Sequence, residues 1–285
     1  MSLPTASTRV GFPEGAVADR SAVLACVELP EGRFGVVTGS TPFHPLDHTW
    51  PDQPADTGTL GGLPVLDCVT GAVGPDGQFA VGADIPVRRG DEAWAWLVVH
   101  VLAEPVAVGT EVDLVVDADR RAALSAAHTG CHLLALALNA ALADRWRKDP
   151  GRSDALDHPD FDALAMDSSR MDTAASYDVY RIGKSLKKKG FVAEGLADEL
   201  PVITDAVNAA LARWVAADAP VRIEAPGPEL TARRQWHADL PEGHAHIACG
   251  GTHLAHLGEL AALSAELRLS EDGTQLTAVT TPKRA

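Results

Sequence analysis

Two separated pairs of side chains are the residues of this chain best suited to bind a metal. His128 and His132 lie four residues apart in HTGCH, so a helix would place both rings on one face with Cβ atoms roughly 5–6 Å apart. Cys249 and His253 lie in CGGTH, where paired glycines favour a tight turn. Three imidazoles and a thiolate suit zinc better than magnesium or calcium. The sequence therefore predicts a zinc site, although the helical pair alone is also typical of a partly buried helix face.

A cluster of positive charge is the second notable feature. The chain has a net charge of −15, and four of its six lysines, Lys184, Lys187, Lys188 and Lys189, stand close together beside Arg181. The acidic balance argues against DNA as a partner, whereas a local cluster could attract RNA phosphates. A solvated helix or loop face is the alternative interpretation.

The elements that would position these residues differ between the two parts of the chain. β-Branched runs separated by turn formers predict six short strands, at 23–29, 34–40, 64–71, 78–84, 93–101 and 111–116. Strands at this spacing favour a small closed or partly open barrel, interrupted by the proline-rich loop 41–60.

After residue 116 the composition becomes rich in alanine and leucine. We expect a long helix from Asp119 to Lys148, with basic residues at its negative end, and a second helix from Pro201 to Ala217. A hairpin is expected over 262–280 around Asp272 and Gly273. These elements predict an α+β class for the second part.

Composition limits the location and the partners of the chain. Its 285 residues are 46% hydrophobic and 22% charged, which is typical of a globular protein. Neither a membrane-spanning run nor a secretory start is evident, and four scattered cysteines do not suggest a disulfide framework. We therefore expect a cytoplasmic protein without a membrane partner.

The two metal-binding motifs occur here in a specific order: HTGCH is followed by LLALALNAAL, and CGGTH is followed by a Gly-Glu pair. This combination resembles the editing domain of alanyl-tRNA synthetases and the free-standing AlaX-type trans-editing proteins. Threonyl-tRNA synthetase editing domains share the two metal half-motifs more loosely. PDQPADTG at 51–58 is similar to the family's GGGQPxDxG segment, and residues 112–121 match its approach to HxxxH. The resemblance covers most of the chain apart from the segment around 173–195.

The resemblance implies a small β-barrel over 1–116 and a two-layer α+β editing domain with a zinc site over 117–285. It also implies a metal-dependent hydrolase that cleaves the ester of mischarged aminoacyl-tRNA through zinc-bound water, acting in trans. The family's metal positions match His128, His132, Cys249 and His253. Gln53 matches the pocket glutamine, and Thr57 lies in a stretch associated with a hydroxylated amino acid. The lysine cluster with Arg181 would contact tRNA.

Two departures from the family lie near the implied pocket. LDHTWPD at 46–52 replaces the glycine run and carries His48, and Gly130 stands where the family usually has alanine. We expect both residues to contact substrate, with sequence drift as the alternative for Gly130, and His44 is a further candidate. Cys131 is interpreted as core, Glu259 as structural, and the histidines at 244, 246 and 256 as surface or supporting groups.

The substrate and even the reaction class leave alternatives open. Seryl- or glycyl-tRNA for alanine is the first expectation, and the altered loop favours a threonyl-type or toxic threonine-analogue ester as the second. A non-enzymatic zinc-stabilised RNA-binding module and a small-molecule metallohydrolase are the alternatives from other classes. Four protein ligands would also describe a closed site, whereas catalysis needs an open position on the metal.

Overall fold

The computed structural model describes residues 3–285, which divide into two compact units. The first unit comprises the described residues up to Ala122 together with Ile223–Gln235 and Cys249–Thr252. The second comprises Ala123–Arg222, Trp236–Ala248 and His253–Ala285. All four cysteines are free thiols. Within the described range, no helix has the combination of length and apolar character required to cross a membrane.

The first unit is built mainly from β-strands. Its described strands are β1 (Arg9–Val10), β2 (Ala18–Leu29), β3 (Arg33–Thr38), β4 (Ser40–Thr41), β5 (Gly58–Leu60), β6 (Leu63–Val65), β7 (Asp67–Val73), β8 (Phe79–Val81), β9 (Ala95–Leu102) and β10 (Glu111–Val116). Eight of them form one sheet in the order β6-β5-β10-β2-β3-β9-β7-β8. Short 3-10 turns lie at Phe12–Glu14, Pro30–Gly32 and Gly82–Asp84.

The long strand β2 explains how so many short strands join one sheet. Its first half pairs with β10 and its second half with β3, and the register of the β2–β3 pairing shifts between Val23 and Ala25. A bulge of this kind bends a strand and increases its twist. The inward residues of β10, Val112, Leu114 and Val116, alternate with exposed ones, so one face of this strand packs into the core.

The predicted strands are present, one of them (111–116) with its predicted bounds and the others with changed ends. The strand expected at 64–71 is two strands that pair with different partners, β6 with β5 and β7 with β9. The strand expected at 78–84 ends at Val81 and continues as a 3-10 turn. A closed barrel and a domain boundary after residue 116 stay predictions.

The second unit combines helices with two further sheets. Its elements are α1 (Ala118–Ala141), α2 (Phe161–Ala165), β11 (Met166–Met171), β12 (Ser176–Arg181), α3 (Lys184–Lys188), α4 (Leu196–Ala216), β13 (Val221–Glu224), β14 (Gln235–Leu240), β15 (Gly243–Ala248), β16 (Leu260–Leu269) and β17 (Gln275–Arg284), with 3-10 turns at Ala143–Arg145 and Leu257–Glu259. The first residues of α1, the last two of β13 and the first of β14 belong to the first unit. One sheet has the order β11-β12-β17-β16 and the other β13-β14-β15.

Helix α4 packs against strand β16, and an amide ties the two together. The Asn208 side chain donates to the Ala265 carbonyl and accepts from the Ala265 N–H, both at 2.8 Å. The hairpin predicted around Asp272 and Gly273 is the β16–β17 pair. A mixed α+β architecture is thus confirmed.

Both predicted helices differ from the observed ones at one end. Helix α1 ends at Ala141 rather than Lys148, because the following residues bind elsewhere: the Arg145 guanidinium is buried and donates to the carbonyls of Val192 and Glu194. Helix α4 begins at Leu196, five residues before Pro201, since the buried Leu196 adds an apolar contact at its first turn. The sequence also gave no signal for β11 and β12, whose residues are largely polar.

Candidate metal centre

Helix α1 positions the first half of the predicted ligand set. His128 and His132 lie one turn apart, and their ring centroids are 4.9 Å apart. His128 is buried and His132 partly buried. The helix surrounds them with buried leucines and alanines, including Leu124, Leu133 and Leu136. This apolar packing fixes the helix and so holds the two imidazoles in place.

The second half lies in the loop between β15 and the 3-10 turn Leu257–Glu259. Within it the Gly251 N–H approaches Cys249 Sγ at 3.4 Å, which closes the tight turn predicted from the paired glycines. The ligand atoms of His128, His132, Cys249 and His253 all lie within 4.8 Å of one another. Among the residues that the structure describes, this is the group able to hold a metal ion, and it is the set expected from the sequence.

The three histidine rings form a compact group. The ring centroid of His253 lies 4.3 Å from that of His128 and 4.9 Å from that of His132. Trp236, which is fully buried, covers the group with its ring centroid 5.2 Å from His132. The sequence did not single out Trp236, because it lies on β14 without any motif around it.

The donor chemistry of the group fits a metal ion. His132 Nε2 is buried and has no hydrogen-bond partner in the described part of the chain, so its lone pair is available. Burial, and then the neighbouring His128, lower the pKa of His132 well below its usual value, which keeps the ring neutral as a ligand requires. Burial raises the pKa of Cys249 to about 12, although Arg234 opposes the rise, so a bound cation would have to displace the thiol proton.

A hydroxyl inside the first motif orients the third histidine. Thr129 Oγ1 lies 3.2 Å from His253 Nδ1 and accepts the Leu254 N–H at 3.1 Å. When Nδ1–H donates to this oxygen, Nε2 keeps its lone pair for a metal. Thr129 is fully buried. Sequence reasoning missed it, although its position between the two histidines of HTGCH was the available signal.

Gln53, the predicted pocket glutamine, binds the CGGTH loop. Its Nε2 donates to Thr252 Oγ1 at 2.9 Å, and its Oε1 accepts from the Thr252 N–H at 3.0 Å. Gln53 is 1% exposed and Thr252 2% exposed. The Gln53 amide thus makes two hydrogen bonds to Thr252, the residue directly before His253. Its predicted contact with substrate stays a proposal.

A buried ion pair anchors the segment that carries Gln53 and Thr57. Arg121 pairs with Asp56 through its Nε at 2.9 Å and through a second, shorter contact, and it also donates to the Pro42 carbonyl at 2.8 Å. The Thr57 carbonyl accepts the Asp117 N–H at 2.8 Å, while the Thr57 side chain is partly exposed. Arg121 and Asp56 were not among the predicted site residues.

An ion pair between Asp47 and Arg89 fixes the loop 46–52, which differs from the corresponding segment of the resembled family. The next residue, His48, is partly buried, and burial lowers the pKa of its imidazole. Its Nδ1 is buried with no hydrogen-bond partner among residues 3–285. His48 thus has one buried ring nitrogen without a partner among the described residues, and its contact with substrate stays a proposal.

Gly130 and Cys131 face the sheet of the second unit. A Cβ at Gly130 would lie 3.0 Å from Leu263 Cδ1 and 3.4 Å from Thr280 Cγ2, so the glycine lets α1 approach β16 and β17 closely. Cys131 is buried, with its Sγ 3.5 Å from Asp178 Oδ1. The packing role is observed for both residues, and a substrate contact by Gly130 stays a prediction.

The histidines and the glutamate that flank CGGTH have local partners. His256 is exposed and lies 2.6 Å from an Asp218 oxygen, which raises the pKa of the His256 ring. Glu259 accepts the N–H groups of Ala255 and His256 at 2.7 and 3.3 Å. These bonds form the cap of the 3-10 turn, so the structural interpretation of Glu259 agrees with its geometry.

The lysine cluster lies on the short helix α3 and the residue after it. We call Lys184, Lys187, Lys188 and Lys189 together with Arg181 the lysine segment, and all five side chains are exposed. Arg181 ends β12 and lines a cavity of about 370 Å³ with Asp167, Gly183 and Thr274. The short helix agrees with the helix or loop face that the sequence left open, and contact of the lysine segment with tRNA stays a prediction.

Comparison with known proteins yields one partial similarity. No protein-family model matches the chain. The chain is 34% identical over 111 residues to a protein named alanyl-tRNA editing protein AlaX-M from Pyrococcus horikoshii. The aligned region is 38% of this chain and spans only 40% of the length of that curated relative. In sequence, therefore, the chain is similar to part of an AlaX-type protein.

Proposed function

We propose that this chain is a zinc-dependent hydrolase that cleaves the ester bond of a mischarged aminoacyl-tRNA. The observation that carries the proposal is the group of three imidazoles and one thiol within 4.8 Å. The partial similarity to a protein named as an alanyl-tRNA editing protein supports the same reaction. His128, His132, Cys249 and His253 would hold the zinc.

Zinc bound in this position would lower the pKa of a water molecule towards about 7 and polarise the ester carbonyl. The residues of the chain supply the positioning. Thr129 sets the ring of His253, and Gln53 holds the loop on which Cys249 and His253 lie. Trp236 covers one side of the histidine group, which keeps bulk water away and strengthens electrostatic interactions there.

For the amino acid, seryl and glycyl esters on alanine tRNA are the first proposal. A threonyl-type or toxic threonine-analogue ester is the second, and one observation favours a hydroxylated amino acid, seryl or threonyl, over a glycyl ester. His48, on the loop that departs from the family, has a buried Nδ1 without a partner among the described residues. A neutral imidazole nitrogen can accept a hydrogen bond from a substrate hydroxyl, and a site built this way discriminates strongly against a substrate that lacks it.

Deacylation of a panel of charged tRNAs tests the proposal. Purified protein loaded with zinc should release amino acid from one or a few of the tRNAs charged with serine, glycine, alanine or threonine. Bound zinc, measured by elemental analysis, should be about one per chain. His128→Ala and Cys249→Ala should lose both zinc and turnover, because breaking a coordinated set couples to folding and to affinity.

The exposed His246 offers a matched control. His246→Ala removes an imidazole outside the ligand group and should keep zinc and turnover at the parent level. Zinc binding without turnover on any charged tRNA would refute the enzyme and favour the RNA-binding module. Turnover of free amino-acid esters alone would favour a small-molecule metallohydrolase.

A further inference from the structure

We infer that a basic surface beyond the end of α1 docks the phosphate backbone of tRNA. The surface, called the basic patch below, consists of the lysine segment together with Arg147 and Lys148. The inference rests on the proposed tRNA substrate, and it concerns a binding surface separate from the metal ligands. Sequence alone suggested only the lysine segment.

Buried apolar side chains within and beside the lysine segment fix its position in the fold. Ile182, Leu186 and Phe191 are 1–3% exposed, and they alternate with the exposed cationic residues of the segment. Phe191 packs on the ring of Phe161 at a centroid distance of 5.1 Å. The lysines are therefore held on an ordered element, so less backbone entropy is lost when they bind a partner.

Tertiary structure adds two cations from a distant part of the chain. Trp146 forms an isolated β-bridge with Phe191, and their rings are 5.2 Å apart. The Arg147 N–H donates to the Gly190 carbonyl at 3.0 Å. Gly190 has a left-handed φ of 113°, and a Cβ there would lie 2.7 Å from Lys148 Cγ. The Lys148 side chain thus lies directly over Gly190, the residue that follows Lys189 in the chain.

The charges of the basic patch are not neutralised internally. The ion pairs recorded for residues 3–285 involve none of its members, whereas the exposed Arg20, Arg33 and Arg268 each have an acidic partner. Five of the six lysines of the chain lie on this surface. In a protein with a net charge of −15, tRNA is repelled at long range unless a local surface attracts it.

The basic patch lies beyond the end of α1, and the length of the helix after His132 sets a scale for its separation from the histidines. Nine residues separate His132 from the helix end at Ala141, which is about 14 Å at 1.5 Å per residue. A strand with 3.4 Å between phosphates covers that span with about four nucleotides. An acceptor end could therefore reach the histidines while the phosphates beyond it contact the basic patch.

Binding of uncharged tRNA as a function of salt tests the inference independently of the chemistry. The three proteins compared with the parent are a lysine variant (Lys187→Gln, Lys188→Gln and Lys189→Gln), an α1-end variant (Arg147→Gln and Lys148→Gln), and a control (Arg20→Gln, Arg33→Gln and Arg268→Gln). The control removes as many exposed positive charges as the lysine variant. Fluorescence anisotropy with labelled tRNA gives Kd between 50 and 200 mM KCl, and circular dichroism verifies folding.

Each lost phosphate contact should lower the slope of log affinity against log salt by about 0.7–0.9. The lysine variant should thus lose about two to three units of slope, so the parent affinity falls roughly 15–40-fold more than the variant affinity over this salt range. The α1-end variant should lose about one to two units. The control should keep the parent slope.

Equal slopes for both patch variants and the control would overturn the inference. Patch-dependent binding to vesicles containing phosphatidylserine, without binding of tRNA, would also overturn it and would indicate an anionic membrane surface. Patch-dependent binding of tRNA supports the inference even if no charged tRNA is hydrolysed, a result that refutes the deacylase alone.

Discussion

The contact between Gln53 and Thr252 leads to a prediction that separates support of the metal loop from direct substrate recognition. Gln53→Ala removes one hydrogen bond to the Thr252 N–H and one to its hydroxyl. Both residues are almost fully buried, so the Thr252 N–H and hydroxyl would lose partners at a position away from bulk water. The loop that carries Cys249 and His253 would then lose its fixed geometry.

The magnitude follows from two buried groups left without partners. Each deleted hydrogen bond costs about 1–2 kcal/mol when its partner stays buried, so Gln53→Ala should lower the free energy of unfolding by about 2–4 kcal/mol. At about 2–4 °C per kcal/mol for a domain of 150–250 residues, the Tm should fall by about 5–15 °C. Because supporting residues of a metal site typically contribute 10–100-fold to affinity, zinc binding should weaken by about that factor.

The assay combines thermal unfolding with chelator competition for zinc. Thr252→Val removes only the hydroxyl and should show about half the loss of stability. Gln78→Ala, in an exposed turn, serves as the matched control and should stay within about 0.5 kcal/mol of the parent. A Gln53→Ala protein that melts and binds zinc like the parent, yet changes its amino-acid preference, would refute the supporting role and favour a pure substrate contact.

Three further outcomes follow from the same geometry. Thr129→Val should weaken zinc binding about 10–100-fold by releasing His253, and unchanged affinity in chelator competition would contradict that role. Arg121→Met leaves the Asp56 carboxylate buried without its partner, so urea unfolding should show a loss of about 3–5 kcal/mol, and a smaller loss than 1 kcal/mol would contradict it. Burial raises the pKa of Asp162 from 3.8 to about 7. The folded state therefore binds a proton that the unfolded chain has released, and stability falls as pH rises from about 4 to 7. Asp162→Asn should make the free energy of unfolding less dependent on pH and raise it by about 1–3 kcal/mol at pH 8. Urea unfolding of parent and variant across this pH range measures both effects. An equal or steeper pH dependence in the variant would contradict the prediction.

The group of residues able to hold a metal was predictable because each pair is local in sequence. An i, i+4 spacing on a helix and a Cys-Gly-Gly-Thr-His turn each bring two donors together through short-range geometry. The identity of the donors then restricted the metal class. Local geometry did not predict the residues that contact these donors and hold them in place. Thr129, Trp236 and the clasp of Gln53 on Thr252 depend on contacts between residues more than a hundred positions apart.

The ends of elements were predictable only where local signals agreed with burial. The strand at Glu111–Val116 was predicted with its observed bounds, because its alternation of exposed and buried residues is the period of a one-sided strand. Helix α1 was predicted seven residues too long. Its composition favours helix through Lys148, but Arg145 and Trp146 gain buried contacts with residues 191–194 and leave the helix. Tertiary burial overrides propensity there.

The sequence by itself determined the donor set, the α+β class and the presence of a cationic cluster on an acidic chain. These properties follow from residue type and from spacing within one turn or one strand. The tertiary structure decided which polar groups hydrogen-bond to the candidate ligands and their loop, where α1 ends, and which cations lie beside the lysine segment. The physical reason is that hydrogen bonds and burial act between neighbours in space, and Lys148 and Gly190 become neighbours only when Trp146 pairs with Phe191.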